Sequence, residues 1–250
     1  MVREHVADDQ PRDPIMTGER SRKLAEIIER TCYLLLDFDG PICNVFAGLP
    51  ASTVAVRMRR LLEESGVALP SHMDDWDDPF EALRLASGLD MALVERVDSA
   101  LRESELTAMR DAEPTPYARE VILACAQTGR AVAVVSNNAT TVIEAYLTER
   151  DLIGSVGAIV GRSSTDPRLL KPSPRPILEA IRLIDADSQG CALVGDTPAD
   201  IVSAKAASIR SIGYANKPGK REKLTAQGAD VVITSMEELA STLLANRCRT

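Results

Sequence analysis

The chain has 250 residues, a formal net charge of −8, 45% apolar residues and 26% charged ones. That length can bury a sizeable core in one or two domains, and the composition is that of an ordinary globular protein. The acidic balance argues against a nucleic-acid backbone or an anionic membrane as partner, and no apolar run has the length needed to span a bilayer.

Residues 1–20, "MVREHVADDQPRDPIMTGER", are polar and proline-bearing, which fits neither a signal peptide nor an anchor. They are expected to form a disordered tail. The first strand is predicted over 33–38, "YLLLDF", where three leucines run straight into Asp37 and Asp39 with Phe38 between them. Burying such carboxylates costs several kcal/mol unless something pairs with them.

From about 46 to 113 no strand is predicted. "ASTVAVRMRRLLEES", "DPFEALRLAS" and "MALVERVDSALRESELTAMR" carry helical spacing, which suggests a small helical domain inserted after the first strand. Strands then return at 131–136, 156–161, 191–195, 208–214 and 229–233, separated by amphipathic helical stretches. This alternation predicts an α/β fold with a mostly parallel, Rossmann-like sheet covered by helices. Thr115-Pro116, Ser173-Pro174 and Thr197-Pro198 each place a capping hydroxyl before a proline at a predicted helix start.

Ligands of open parallel sheets bind beyond the carboxyl ends of the strands. Those ends offer Asp37 and Asp39, then Ser136, Asn137 and Asn138, then Asp196 and Thr197 with Asp200 one helical turn on, while Lys171 opens a helix between them. Acids, a hydroxyl, amides and one lysine suit an anionic ligand held through a hard divalent cation. Asp37 and Asp196 can bind such an ion, and Lys171 and Ser136 can take phosphoryl oxygens. Only two histidines occur, His5 and His72, without a ligand pattern around either. The five cysteines, Cys32, Cys43, Cys125, Cys191 and Cys248, form no CxxC pair; they suggest neither a disulfide framework nor zinc, and predict small core residues in a reducing cytoplasm.

"DFDG", "VVSNN", "LLKPSPRPILEAI" and "LVGDTPADIVSAKAA", in that order, resemble the four motifs of the haloacid dehalogenase-like phosphohydrolases. The tail "GYANKPGKREKLTAQGADVVITSMEELA" is similar to the end of the branch that includes phosphoglycolate phosphatases and β-phosphoglucomutases. The resemblance implies a catalytic core from 21–45 and 114–250 and a helical cap domain over 46–113. It implies Asp37 as the nucleophile that forms an aspartyl-phosphate and Asp39 as the acid and base. It further implies Ser136, Asn137 and Lys171 as phosphate-binding groups. Mg2+ would be held by Asp37, Asp196 and the carbonyl of Asp39, with Asp200 behind them.

The implied activity is Mg2+-dependent hydrolysis of a small phosphorylated metabolite. A sugar phosphomutase of the same branch would use the same core and differ in how its cap excludes water; a non-catalytic binding module would not need to keep every charged residue. Pro41 and Ser208 depart from the pattern, at the turn toward the cap and at a helix end where glycine is common. The acidic run "DDWDDP", with Asp74, Asp75, Asp77 and Asp78, reads as a solvated interhelical loop before a second metal site. Arg57, Arg59 and Arg60 suit either an anionic substrate or an outer helix face, and Phe46 and Trp76 read as packing residues. Hinges are expected near Pro41–Leu49 and Glu113–Pro116.

Overall fold

The structure is a computed structural model and describes residues 14–70 and 77–248. His5, His72, Asp74, Asp75 and Trp76, along with most of the expected tail, lie outside the described residues. Within them, residues 14–20 belong to helix α1 (Pro14–Glu29), which replaces the end of that tail. Leu24 and Ile28 are fully buried, and Arg20 pairs with Glu238 at the other end of the sequence. Each such aliphatic side chain contributes about 1.5–3 kcal/mol by leaving water.

Six parallel strands form the central sheet in the order β5-β4-β1-β6-β7-β8. They are β1 (Tyr33–Leu36), β4 (Ala131–Ala139), β5 (Ala158–Arg162), β6 (Cys191–Gly195), β7 (Arg210–Tyr214) and β8 (Val231–Ile233). All six expected strands are therefore present. The unbroken leucines of β1 follow from burial on both faces, as parallel sheets require. Leu34 and Leu36 join one core with α1, α5 (Ala118–Gln127), α6 (Thr140–Glu149) and α10 (Met236–Ala245). Leu35 joins the opposite core with α7 (Arg175–Leu183) and α8 (Pro198–Ala206).

Strand β1 pairs with β4 on one side and β6 on the other, so chain direction across the sheet reverses there. Such a switch point opens a crevice beyond the strand ends. The chain leaves β1 through a short antiparallel hairpin, β2 (Cys43–Asn44) with β3 (Glu113–Pro114). Between its strands lie α2 (Ala51–Glu64), α3 (Phe80–Ser87) and α4 (Met91–Met109). These helices form an all-helical cap with its own apolar cluster, including Met58, Leu62, Leu83 and Leu101. Leu170 of the core packs into that cluster, while Ala108 at the far end of α4 belongs to the main core. Helix α9 (Lys220–Ala226) completes the set.

Two local expectations change. Thr197 does cap α8, through a reciprocal box with Asp200. Thr115 instead donates its hydroxyl to the Gly40 carbonyl at 2.5 Å, and Ser173 accepts only the Arg175 N–H, at 3.4 Å. The cap positions fall instead on Tyr117 before α5 and on Pro174 before α7, so each hydroxyl lies ahead of the place from which it would cap. Ser208 adopts φ +58, taking the left-handed conformation that a glycine would take without strain.

The cysteines also divide differently from expectation. Cys43, Cys125 and Cys191 are buried thiols, but Cys32 and Cys248 form a disulfide with Cα atoms 5.3 Å apart. Their separation of 216 residues hides the pair from any spacing pattern. The bridge ties the start of β1 to the segment after α10. Beside it, Arg130 donates to the carbonyls of Thr31 and Ile28.

Candidate active site

The strand-end residues converge beyond β1. Asp37 extends the strand, its N–H donating to the Val194 carbonyl at 2.9 Å, and its side chain is buried. Asp37 Oδ1 accepts from the Phe38 N–H at 2.7 Å and lies 2.8 Å from Lys171 Nζ. Lys171 is itself buried and donates to Asp200 Oδ1 at 2.6 Å and to the Val135 carbonyl at 2.9 Å. Three acceptors therefore meet the three protons of the ammonium. Asp200 is fully engaged as well, because its Oδ2 accepts from both the N–H and the hydroxyl of Thr197.

Asp196 follows β6 and is buried. Its Oδ2 is held by Lys220 and by Asn216 Nδ2, the latter at 3.2 Å, whereas its Oδ1 is buried without a partner. Two glycines make this crowding possible. A Cβ on Gly40, at φ +106, would lie 2.4 Å from the Asp196 carboxyl carbon, and one on Gly195 would lie 2.2 Å from Cβ of Asp200. Asp39 is half-buried and its Oδ1 accepts from the Val45 N–H at 2.9 Å, which turns the chain toward the hairpin.

Charge crowding shifts the acids. Burial, then the neighbouring Asp200, push Asp37 up to about 8 against the pull of Lys171. Burial also raises Asp39 to about 6, only partly offset by the Val45 N–H. Asp196 is raised chiefly by burial, with Lys220 pulling it back. Lys171 is held above its usual range despite burial, because Asp200 and Asp37 flank it.

Asp37, Asp196 and Asp200 each offer an oxygen within 4.8 Å of the others. Asp200 Oδ1 already accepts from Lys171, and its Oδ2 accepts twice from Thr197. Among the described residues, Asp196 Oδ1, beside the raised Asp37, and Asn216 Oδ1 are the buried side-chain acceptors without a partner. An all-oxygen set of this kind suits a hard cation such as Mg2+.

On the other side of β1, Ser136 is buried, and its hydroxyl accepts from the Asn138 N–H at 3.3 Å and lies 3.1 Å from Asn138 Oδ1. Asn137 bonds the Lys171 backbone twice: its Oδ1 accepts the Lys171 N–H at 2.8 Å, and its Nδ2 donates to the Lys171 carbonyl at 3.1 Å. All seven sequence-selected residues, Asp37, Asp39, Ser136, Asn137, Lys171, Asp196 and Asp200, thus gather at one switch point. Except for Asp200, they line a cavity of about 510 Å³ roofed by the cap, where Phe46, Phe80 and Arg84 face them.

Sequence reasoning missed Asn216 and Lys220, which hold Asp196 from beyond the end of β7; the strand-end rule would have found them had it been applied to that strand. It also missed Glu105 and Arg162, whose partners are far apart in sequence. Asp77 and Asp78 line the same cavity, and Asp78 accepts from the Phe80 N–H and pairs with Arg84, a loop role that matches expectation. Phe46 packs as expected but also lines the cavity. Arg57 pairs with Glu103 on the cap, away from the cavity lining.

The haloacid dehalogenase-like hydrolase family model matches residues 34–214, from β1 to the end of β7. The chain belongs to that family. It is 26% identical over 188 residues to a phosphoglycolate phosphatase of Aquifex aeolicus, covering 71% of this chain and 82% of that one. It is 29% identical over 121 residues, 48% of its length, to a Caldanaerobacter subterraneus protein provisionally named as the pyrophosphatase PpaX, and spans about half of that relative, 54%. A haloacid dehalogenase-like family hydrolase from Streptococcus pneumoniae has the same fold, with a TM-score of 0.60 at 14% identity over 85% of this chain and 98% of that one.

Proposed function

We propose that this family member is a phosphatase that hydrolyses a small phosphomonoester in the presence of a divalent cation, through a covalent intermediate on Asp37. The observation that carries the reading is the buried Asp37–Lys171–Asp200 array beside Asp196, whose Oδ1 has no partner. Asp37, Asp196 and the carbonyl of Asp39 would hold Mg2+. That ion, when bound, supplies positive charge against phosphoryl oxygens and keeps the attacking carboxylate ionised.

The remaining chemistry belongs to the chain. Asp37 attacks phosphorus, displacing the alcohol. Asp39, raised to about 6, can give a proton to the leaving oxygen and then take one from water. Ser136, with N–H groups at the irregular end of β4, holds the phosphoryl oxygens, and the Lys171 ammonium balances their charge. Residues 46–113 act as the cap that limits which leaving groups fit. The phosphatase names of relatives support this reading, as does a cavity large enough for a small metabolite and lined by both signs of charge.

The test is release of inorganic phosphate from an aryl phosphate. Activity should vanish in excess chelator, return with Mg2+, and return poorly with Ca2+, whose larger and looser shell places oxygens differently. Undiminished turnover in chelator would remove the cation from the account.

A further inference from the structure

A second buried charge cluster lies behind the irregular C-terminal end of β4, Ser136–Ala139, where the register with β5 shifts. Arg162 ends β5 and is 1% exposed; Glu105, on cap helix α4, is fully buried against it. The pair is bidentate, with Arg162 Nη1 donating to Glu105 Oε1 at 3.0 Å and Nη2 to Oε2 at 2.9 Å. Arg162 Nε donates to Asp98 Oδ1 at 2.6 Å, and Asp98 also takes Arg102.

The remaining bonds of this pair all go to three consecutive residues. Arg162 Nη1 also donates to the Asn137 carbonyl at 2.8 Å. Glu105 Oε1 accepts from Asn138 Nδ2 at 3.1 Å, and its Oε2 accepts from the Ala139 N–H at 3.2 Å. The same strand end carries Ser136, and the Asn137 side chain grips both backbone groups of Lys171. One ion pair, half of it from the cap, therefore fixes the end of β4 and, through Asn137, the lysine that touches Asp37.

We propose that Glu105 and Arg162 are positioning residues for phosphoryl binding: the cap helix sets the geometry of the irregular β4 end, Ser136–Ala139, and of Lys171 through this pair. The inference rests on the reading of Ser136, Asn137 and Lys171 as phosphoryl-binding groups. A role in cap docking alone would need only shape and apolar area, which two methionines can supply; buried ion pairs rarely exceed such replacements in stability. Apolar side chains cannot orient the Asn137 carbonyl, the Asn138 amide or the Ala139 N–H.

The discriminating experiment compares full-length wild type, the double variant Glu105→Met/Arg162→Met, and the single variant Glu105→Gln. Inorganic phosphate is titrated calorimetrically in the presence of Mg2+, alongside thermal unfolding and steady-state kinetics on an aryl phosphate. The double variant also strips Asp98 and the end of β4 of partners, so it should unfold below the wild-type temperature. Where folded, it should bind phosphate roughly tenfold or more weakly, since each lost charged hydrogen bond is worth that much. KM should rise with it. Glu105→Gln, which keeps volume but sets an NH2 against Arg162 or the Ala139 N–H, should show the same loss of phosphate affinity, and it decides the question alone if the double variant does not fold. Wild-type phosphate affinity and KM in a folded variant would overturn the inference while leaving the site intact. Failure of the wild type itself to bind phosphate would overturn the inference together with the reading beneath it.

Discussion

Replacing Lys171 by methionine removes the ammonium and keeps the stem. Lys171 is 3% exposed, within 2.8 Å of Asp37 and 2.6 Å of Asp200, so the substitution leaves two buried carboxylates facing each other beside Asp196. Breaking a buried pair from one side costs about 3–5 kcal/mol. For a chain of this size that is a fall of roughly 6–20 °C in Tm, at about 2–4 °C per kcal/mol. The pH dependence has a definite sign. Asp37 is raised from 3.8 to about 8, so the stability linked to its proton is full below the unfolded value and is lost as pH rises through the folded one. Without Lys171, Asp37 rises further, and protonation relieves the site in acid but not in base. The gap in Tm between wild type and Lys171→Met should therefore be narrow at about pH 6, where Asp37 keeps its proton in both proteins, and widen as pH rises past about 8, toward about pH 10. Thermal unfolding by circular dichroism without divalent cations measures it. A gap that is small, or constant across that range, would refute the ledger of charges around Lys171.

The remaining expectations concern single positions. Gly40→Ala puts a Cβ 2.4 Å from the Asp196 carboxyl carbon at φ +106, so Asp196 must move; the Mg2+ concentration for half-maximal activity should rise steeply, and an unchanged metal titration would show that Asp196 does not set it. Ser208→Gly relieves a left-handed residue by about 1 kcal/mol, a gain of roughly 2–4 °C in Tm, with turnover unaffected; no gain would mean the turn stores no strain. Asp39→Asn should cost about 10²–10⁴-fold with alkyl phosphates and less with nitrophenyl phosphate, whose leaving group needs little protonation. An equal loss with both would assign Asp39 another role.

Much of this was legible in the sequence for a physical reason. A strand buried on both faces must be apolar, so the polar residues that break the run at its end, Asp37, Ser136 and Asp196, stand out. Strand ends of a parallel sheet share one edge, so residues far apart in sequence could be placed together before any coordinates. Contacts whose cause lies in tertiary packing were not legible. Glu105 looks like one more acid on a charged helix, and Arg162 like a residue after a strand; only the docking of α4 against β4 and β5 makes them a pair. Residues 14–20, the first turns of α1, were read as tail because they are polar and proline-bearing, while the side chains that anchor the helix, Leu24 and Ile28, come later. The Cys32–Cys248 bridge depends on α10 returning beside β1, which no spacing rule encodes.

The central claim is that Asp37 carries the phosphoryl group. Its most direct test is acid quenching of Asp39→Asn during turnover of nitrophenyl phosphate with Mg2+, followed by peptide mass spectrometry. Asp39→Asn retains the attacking carboxylate but lacks the base for the water step, so the phosphoryl mass should appear on the peptide containing Asp37 and be absent from the Asp37→Asn control. A phosphoryl group on another residue, or burst-free turnover with none trapped, would contradict the account.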